Sequence, residues 1–136
     1  MDAAAGPRRA IETEDAPAPI GPYSQAVVAD GVLYCSGQVP LDPATGELID
    51  GDIADQARRC LASLDAVCRA AGTQLSDAAR IGIYLTDMGR FAEVNEVYGS
   101  FFSEPFPVRT TVGVAALPKG ALVEMDATVP LGRDPG

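Results

Sequence analysis

The chain of 136 residues contains no histidine and no tryptophan. A Ser-His-Asp triad, a histidine general base and a histidine metal ligand are therefore excluded, and any chemistry must use Arg, Glu, Asp, Tyr, Ser, Thr, Cys or backbone groups. Lysine occurs once, as Lys119, between Pro118 and Gly120 in a loop pattern where a solvated role is expected rather than a Schiff base. No apolar run approaches the roughly 20 residues needed to span a bilayer. Arg8-Arg9 is followed by IETEDAPAPI rather than an apolar stretch, so no secretory or twin-arginine signal is expected, and the expected compartment is the cytoplasm. Cysteine is scarce: Cys35, Cys60 and Cys68, an odd count without CxxC spacing, read as reduced packing residues. Nucleotide signatures of the GxGxxG and GxxxxGK[ST] kinds are absent. Asp50, Asp52 and Asp55 do not make a calcium loop either, because the fifth and twelfth positions counted from Asp50 are Ala54 and Leu61. Neither metal nor cofactor is expected.

What is present is enough apolar material, 47% of residues, for one core of single-domain size. A formal charge of −9 repels phosphodiester backbones and anionic headgroups, so neither nucleic acid nor a membrane is the expected partner. Residues 1–14 are expected to form a flexible tail, with at most a short strand near its end. A single domain follows over 15–131, and 132–136 form a short C-terminal tail.

Gln25–Ala29 and Val32–Ser36 read as strands joined by Asp30-Gly31, the dipeptide that suits a two-residue hairpin turn. Residues 37–52, rich in Gly and Pro, read as a loop. Ile53, Ala57, Cys60, Leu61, Leu64, Val67, Cys68 and Ala71 recur at spacings of three and four and predict a helix capped by Asp52 and ended by Gly72. A strand over 80–86 follows. Asp87 can cap a second helix with Phe91, Val94, Val97, Tyr98, Phe101 and Phe102 as its stripe, and Pro105 stops it. Strands over 109–115 and 121–129 complete the order ββαβαββ. This pattern predicts an α+β fold in which both helices cover one face of a mixed sheet.

Strand alternation adds an expectation about function. In the last strand Val123, Met125, Ala127 and Val129 belong to the helix side, which leaves Glu124 and Asp126 on the uncovered face with Tyr84 and Gly82. In the preceding strand Val112 and Val114 are expected to face the helices, so Arg109, Thr111 and Gly113 are expected to share that uncovered face with Glu124. Such a mixed surface suits either contacts between subunits or an ordinary solvated face with a surface ion pair. Two further features are ambiguous in the same way. Tyr23, after the stiff Gly21-Pro22 pair, either aims at a ligand or packs at a strand start, and Ser36-Gly37 permits close backbone approach and free N–H donors.

The segments GPYSQ (21–25), CSGQVPLDPATGEL (35–48), YLTDM with the following VNEVY (84–98), PVRTTV (107–112) and LPKGALVEMDA (117–127), in this order, closely resemble the RidA/YjgF family of reactive-intermediate deaminases. The likeness spans residues 20–131. It implies a chorismate-mutase-like α+β fold, assembly as a homotrimer with clefts between subunits, and hydrolysis of 2-imino acids to 2-keto acids and ammonia. Such imines are released by pyridoxal-phosphate-dependent dehydratases. The resemblance assigns carboxylate recognition to Arg109 and the attacking water to Glu124. Tyr23, Ser36 and Gly37 complete the pocket, with Asn95 and Thr111 as contributors. The chain departs from the family's common residues at Thr111 (often Cys), Gly113 (often Glu) and Val108 (often Ala), which bears on substrate preference. The chemistry suits the residues: a guanidinium holds a planar carboxylate with two hydrogen bonds, and a carboxylate takes a proton from water. Alternative roles implied for such a chain are a non-catalytic ligand-binding or regulatory trimer and ribonuclease or translation inhibition. The charge and the lack of histidine make RNA cleavage the least favoured of these. An isomerase on the same architecture would require more cations than Arg109 on the open face.

Overall fold

Asp30 and Gly31 adopt φ angles of 51° and 76°, both left-handed, and this two-residue turn reverses the chain between its first long strands. In the computed structural model, which describes residues 8–132, these strands are β2 (Ala26–Ala29) and β3 (Val32–Gln38). They are preceded by β1 (Arg9–Ile11), which pairs antiparallel with β2 and buries Ile11. Strand β1 thus lies inside the stretch expected to be a flexible tail; of that stretch, residues 1–7 lie outside the described residues. A short apolar side chain in a polar context was enough to anchor an edge strand, which is why periodicity gave little sign of it.

The loop over 39–52 is tied by an antiparallel bridge between Leu41 and Leu48 and delivers the chain to helix α1 (Ile53–Ala70). Asp52 accepts from the Asp55 N–H while the Asp55 carboxylate accepts from the Asp52 N–H, a capping box that satisfies two of the donors a helix start leaves open. The expected stripe is the buried one: Ile53, Ala57, Cys60, Leu61, Leu64, Val67 and Cys68 are at or near zero exposure. Each buried Leu or Ile contributes roughly 1.5–3 kcal/mol of transfer free energy. Gly72, at φ 88°, ends the helix.

The chain continues through β4 (Arg80–Leu85), a 3-10 turn at Met88–Arg90 capped by Asp87, α2 (Phe91–Phe101), β5 (Val108–Gly113) and β6 (Val123–Pro130). The sheet order is β1-β2-β3-β6-β4-β5, with β4 and β5 parallel and every other pair antiparallel. Both helices lie against one face, over Leu33, Ile81, Ile83, Leu85, Val123, Met125 and Val129. The architecture is the mixed-sheet α+β arrangement that the sequence predicts.

One expectation fails. In the parallel pairing of β4 with β5, Arg109 stands beside Ile81 and Thr111 beside Ile83. Neighbours in register point to the same side of a sheet, so Arg109, Thr111 and Gly113 lie on the helix side, and Val108, Thr110 and Val112 on the open side. Arg109 and Glu124 are on opposite faces. The cause is the position of β5 at the sheet edge, beyond the reach of α1, where neither face is buried within one chain. Val108 is 68% exposed and Val112 40%. Alternation identifies a core face only where one face is buried.

Candidate functional site

On the helix side of β5, Arg109 is held by three residues of one face of α2. Phe91, Asn95 and Tyr98 follow one another at spacings of four and three and therefore line up along the helix. The Arg109 guanidinium carbon lies 4.8 Å from the Tyr98 ring centroid and 5.3 Å from that of Phe91. Its Nη1 donates to Asn95 Oδ1 at 2.8 Å. Each cation–π contact at such an exposed position contributes roughly 0.5–1 kcal/mol, and together they restrict the plane of the fork. Among the described residues Arg109 has no carboxylate partner. It opens on a cavity of about 460 Å³ lined also by Gly99, Phe106 and Pro107. A fixed guanidinium without an internal counter-ion is suited to a small carboxylate.

Glu124 occupies the open face at the centre of the sheet, between β3 and β4. It is half-buried, and its carboxylate is seated against Gly37: a Cβ at that glycine would stand 3.0 Å from Glu124 Cδ and closer still to Oε2. Gly37 lies in the irregular pairing between Cys35 and Gln38, where β3 bulges against β6. Partial burial, and secondarily the negative charge of Asp126, hold the Glu124 carboxyl above the usual range for glutamate. A carboxylate so placed takes a proton from water more readily than an ordinary surface glutamate.

Tyr23 and Ser36 belong to a second hollow of about 400 Å³, shared with Ser24, Val27 and Tyr34. Tyr23 is 48% exposed, and its hydroxyl accepts from the Ile20 N–H at 3.3 Å. The expectation of free donors at Ser36 is corrected: its N–H donates to Gln25 O at 2.9 Å and its hydroxyl to Ser24 O at 2.5 Å. Those bonds fasten the segment carrying Tyr23 to β3. Gln25, itself buried, gathers the preceding strap by accepting from the Thr13 N–H and donating to the carbonyls of Thr13, Ala16 and Pro17.

The predicted residues thus form two groups. Arg109, Asn95 and Thr111 stand on the helix side of edge strand β5; Glu124 and Gly37, with the Tyr23–Ser36 hollow, belong to the other part of the molecule. The Thr111 hydroxyl is buried without a partner. Phe91 and Tyr98 were not among the predicted site residues, because aromatic side chains in a helical stripe read as core. The polar Asn95 on the same helical face was the available signal. Among the described residues no cluster of His, Cys, Asp or Glu could hold a metal ion, and no helix is long and apolar enough to cross a membrane.

Residues 13–130 match the family profile described as Endoribonuclease L-PSP. A RutC family protein of Sinorhizobium fredii is 50% identical over 121 residues, covering 89% of this chain and 96% of the relative. The chain belongs to the RidA/YjgF family. Among RidA/YjgF proteins, one from Dermatophagoides farinae named 2-iminobutanoate/2-iminopropanoate deaminase is 43% identical over 123 residues, 90% of this chain and 96% of that protein. The crystal structure of RidA from an Antarctic Psychrobacter superposes with a TM-score of 0.87 at 44% identity, covering 91% of this chain and all of that one. Some family members thus carry an imine-deaminase name and others only a family name.

Proposed function

We propose that the protein hydrolyses 2-imino acids and their enamine tautomers, such as 2-iminobutyrate and 2-iminopropionate, to 2-keto acids and ammonia, in active sites shared between subunits of a homotrimer. The observation that carries this reading is Arg109, a guanidinium fixed by Phe91, Tyr98 and Asn95, without a carboxylate partner among the described residues, at the edge of a cavity sized for a small acid. Its fork would receive the substrate carboxylate. Glu124 would hold a water over the imine carbon and take a proton as the C–O bond forms. With the imine nitrogen protonated at the outset, returning that proton to nitrogen turns the carbinolamine amine into an ammonium leaving group; as the C–N bond breaks, the hydroxyl gives its proton back to Glu124, the C=O bond forms and ammonia leaves. The sequence elements serving these steps require no nucleophile or metal. The likeness to proteins named 2-iminobutanoate/2-iminopropanoate deaminase supports the same chemistry. Enzymes that eliminate water from hydroxy amino acids, the pyridoxal-phosphate-dependent dehydratases, would supply the substrate.

The opposite facing of Arg109 and Glu124 supports a shared site, since no rotamer carries either side chain through its own sheet. The bare β5 edge of one subunit placed against the open face of the next would bring them together, and three such head-to-tail contacts close a ring. The test mixes two inactive variants. Arg109→Ala and Glu124→Gln are each expected to lose keto-acid production in a coupled dehydratase assay while keeping their oligomeric state. After joint unfolding and reassembly, about a quarter of wild-type activity should return, because each mixed ring contains one intact site in three. No recovery, with mixed oligomers demonstrated by mass spectrometry, would remove the shared site. Saturable keto-acid binding by the wild type without turnover would instead leave a binding or regulatory protein.

A further inference from the structure

The open face carries a second carboxylate for which imine hydrolysis, as derived above, has no use. Asp126 lies two residues beyond Glu124 on β6, so the two side chains point the same way. It is held from two directions: the Tyr84 hydroxyl donates to Oδ2 at 2.7 Å and Arg80 Nη1 to Oδ1 at 3.2 Å. The registers of β4 and β6 make this arrangement specific. Tyr84 is the direct cross-strand neighbour of Glu124, yet its hydroxyl goes to Asp126. Gly82 is the direct neighbour of Asp126, and a Cβ there would stand 2.9 Å from the Tyr84 hydroxyl oxygen and clash with the Asp126 carboxylate. Two glycines, Gly37 and Gly82, therefore make room for two adjacent acids. Each of the two carboxylates makes ionisation of the other less favourable.

We infer that Asp126 is a positioning residue for Glu124: clamped by Tyr84 and Arg80, it fixes a negative charge beside the Glu124 carboxylate and sets the pH range in which Glu124 exchanges a proton with water. This rests on the hydrolytic role proposed for Glu124. The surroundings of that carboxylate in one chain are few. Asp126 is on its own strand, Tyr84 and, through Asp126, Arg80 are on β4, and β3 contributes the uncharged Gly37. Across β4, β5 presents Val112. On the helix side the buried Cys60 of α1 donates its Sγ–H to Val123 O, and burial keeps that thiol protonated. Burial first, and the Asp126 charge after it, both push the Glu124 carboxyl up.

Two substitutions make opposite predictions. Asp126→Asn keeps an acceptor for Tyr84 and removes the charge, so the protonation midpoint of Glu124 should fall. Arg80→Gln leaves the Asp126 charge uncompensated, so the midpoint should rise. The acid limb of kcat for imine hydrolysis should follow in both cases. The direct readout is carbon-13 NMR of the Glu124 side-chain carboxyl through a pH titration of the intact oligomer, which does not depend on turnover. An unchanged midpoint in Asp126→Asn, or movement in the same direction in both variants, overturns the inference. A wild type that shows the expected NMR behaviour but hydrolyses no imino acid overturns the proposed activity and leaves the coupling standing.

Discussion

Gly37→Ala tests the proposed catalytic arrangement through one methyl group. The glycine is not in a left-handed conformation, so alanine is tolerated by the backbone, and the three atoms nearest the added carbon all belong to the Glu124 side chain. An ideal Cβ would sit 3.0 Å from Cδ and 3.4 Å from Cγ, with Oε2 inside contact distance. The carboxylate must retreat on the order of 1 Å, and a misplacement of that size costs about 100-fold in rate. That loss corresponds to about 2.7 kcal/mol of transition-state stabilisation. The fold should be little affected, because the displaced group is the free end of a flexible side chain. Rotamer strain of roughly 0.5–1.5 kcal/mol is offset by the reduced freedom of the unfolded chain when alanine replaces glycine. In steady-state assays with enzymatically generated 2-iminobutyrate, kcat should therefore fall about 100-fold, while KM and the unfolding midpoint stay close to wild type. In the proposed reaction substrate binding is left to Arg109, on the other face of its own sheet. A variant with wild-type kcat, or one whose loss lies entirely in KM, would refute the assignment of Glu124 as the group that handles the water.

Two further predictions address the remaining parts. Arg109→Lys keeps the charge but loses the planar fork between Phe91 and Tyr98; kcat/KM should drop by about 100-fold with thermal stability unchanged, since a point charge cannot make two parallel hydrogen bonds to a carboxylate. Retained activity would show that charge alone suffices. Gln25→Ala strands the backbone groups of Thr13, Ala16 and Pro17 in a buried position. It should lower stability in denaturant titration by about 2–3 kcal/mol, and a change below 0.5 kcal/mol would show that water replaces the side chain.

The α1 and β6 segments show how far local pattern reaches. A stripe repeating at three and four residues can be buried only as a helix, and Val123, Met125, Ala127 and Val129 alternate because β6 is central to the sheet, with one face under the helices and the other bare. There, periodicity and burial are the same information. The Asp30-Gly31 turn and the Asp52 cap are equally local, each settled by a backbone need that few residues meet. The family was legible through the motifs around Arg109 and Glu124, since its segments run in order along the chain; the role of these two residues as the reactive pair is the proposal made above.

Sequence alone did not decide on which side of the sheet Arg109 stands. Alternating residues define two faces without saying which is buried, and the valines of β5 misled because an edge strand beyond α1 leaves apolar residues on its open side uncovered within one chain. The parallel pairing of β4 with β5 set that orientation, beside Ile81. Contacts between residues distant in sequence likewise decided that Asn95, Phe91 and Tyr98 hold the guanidinium, that Gly37 seats Glu124, and that Tyr84 reaches past its cross-strand neighbour to Asp126. Local sequence fixes which atoms alternate or repeat; the partners they meet depend on register between strands and on the end of the helical cover, and both are properties of the assembled sheet.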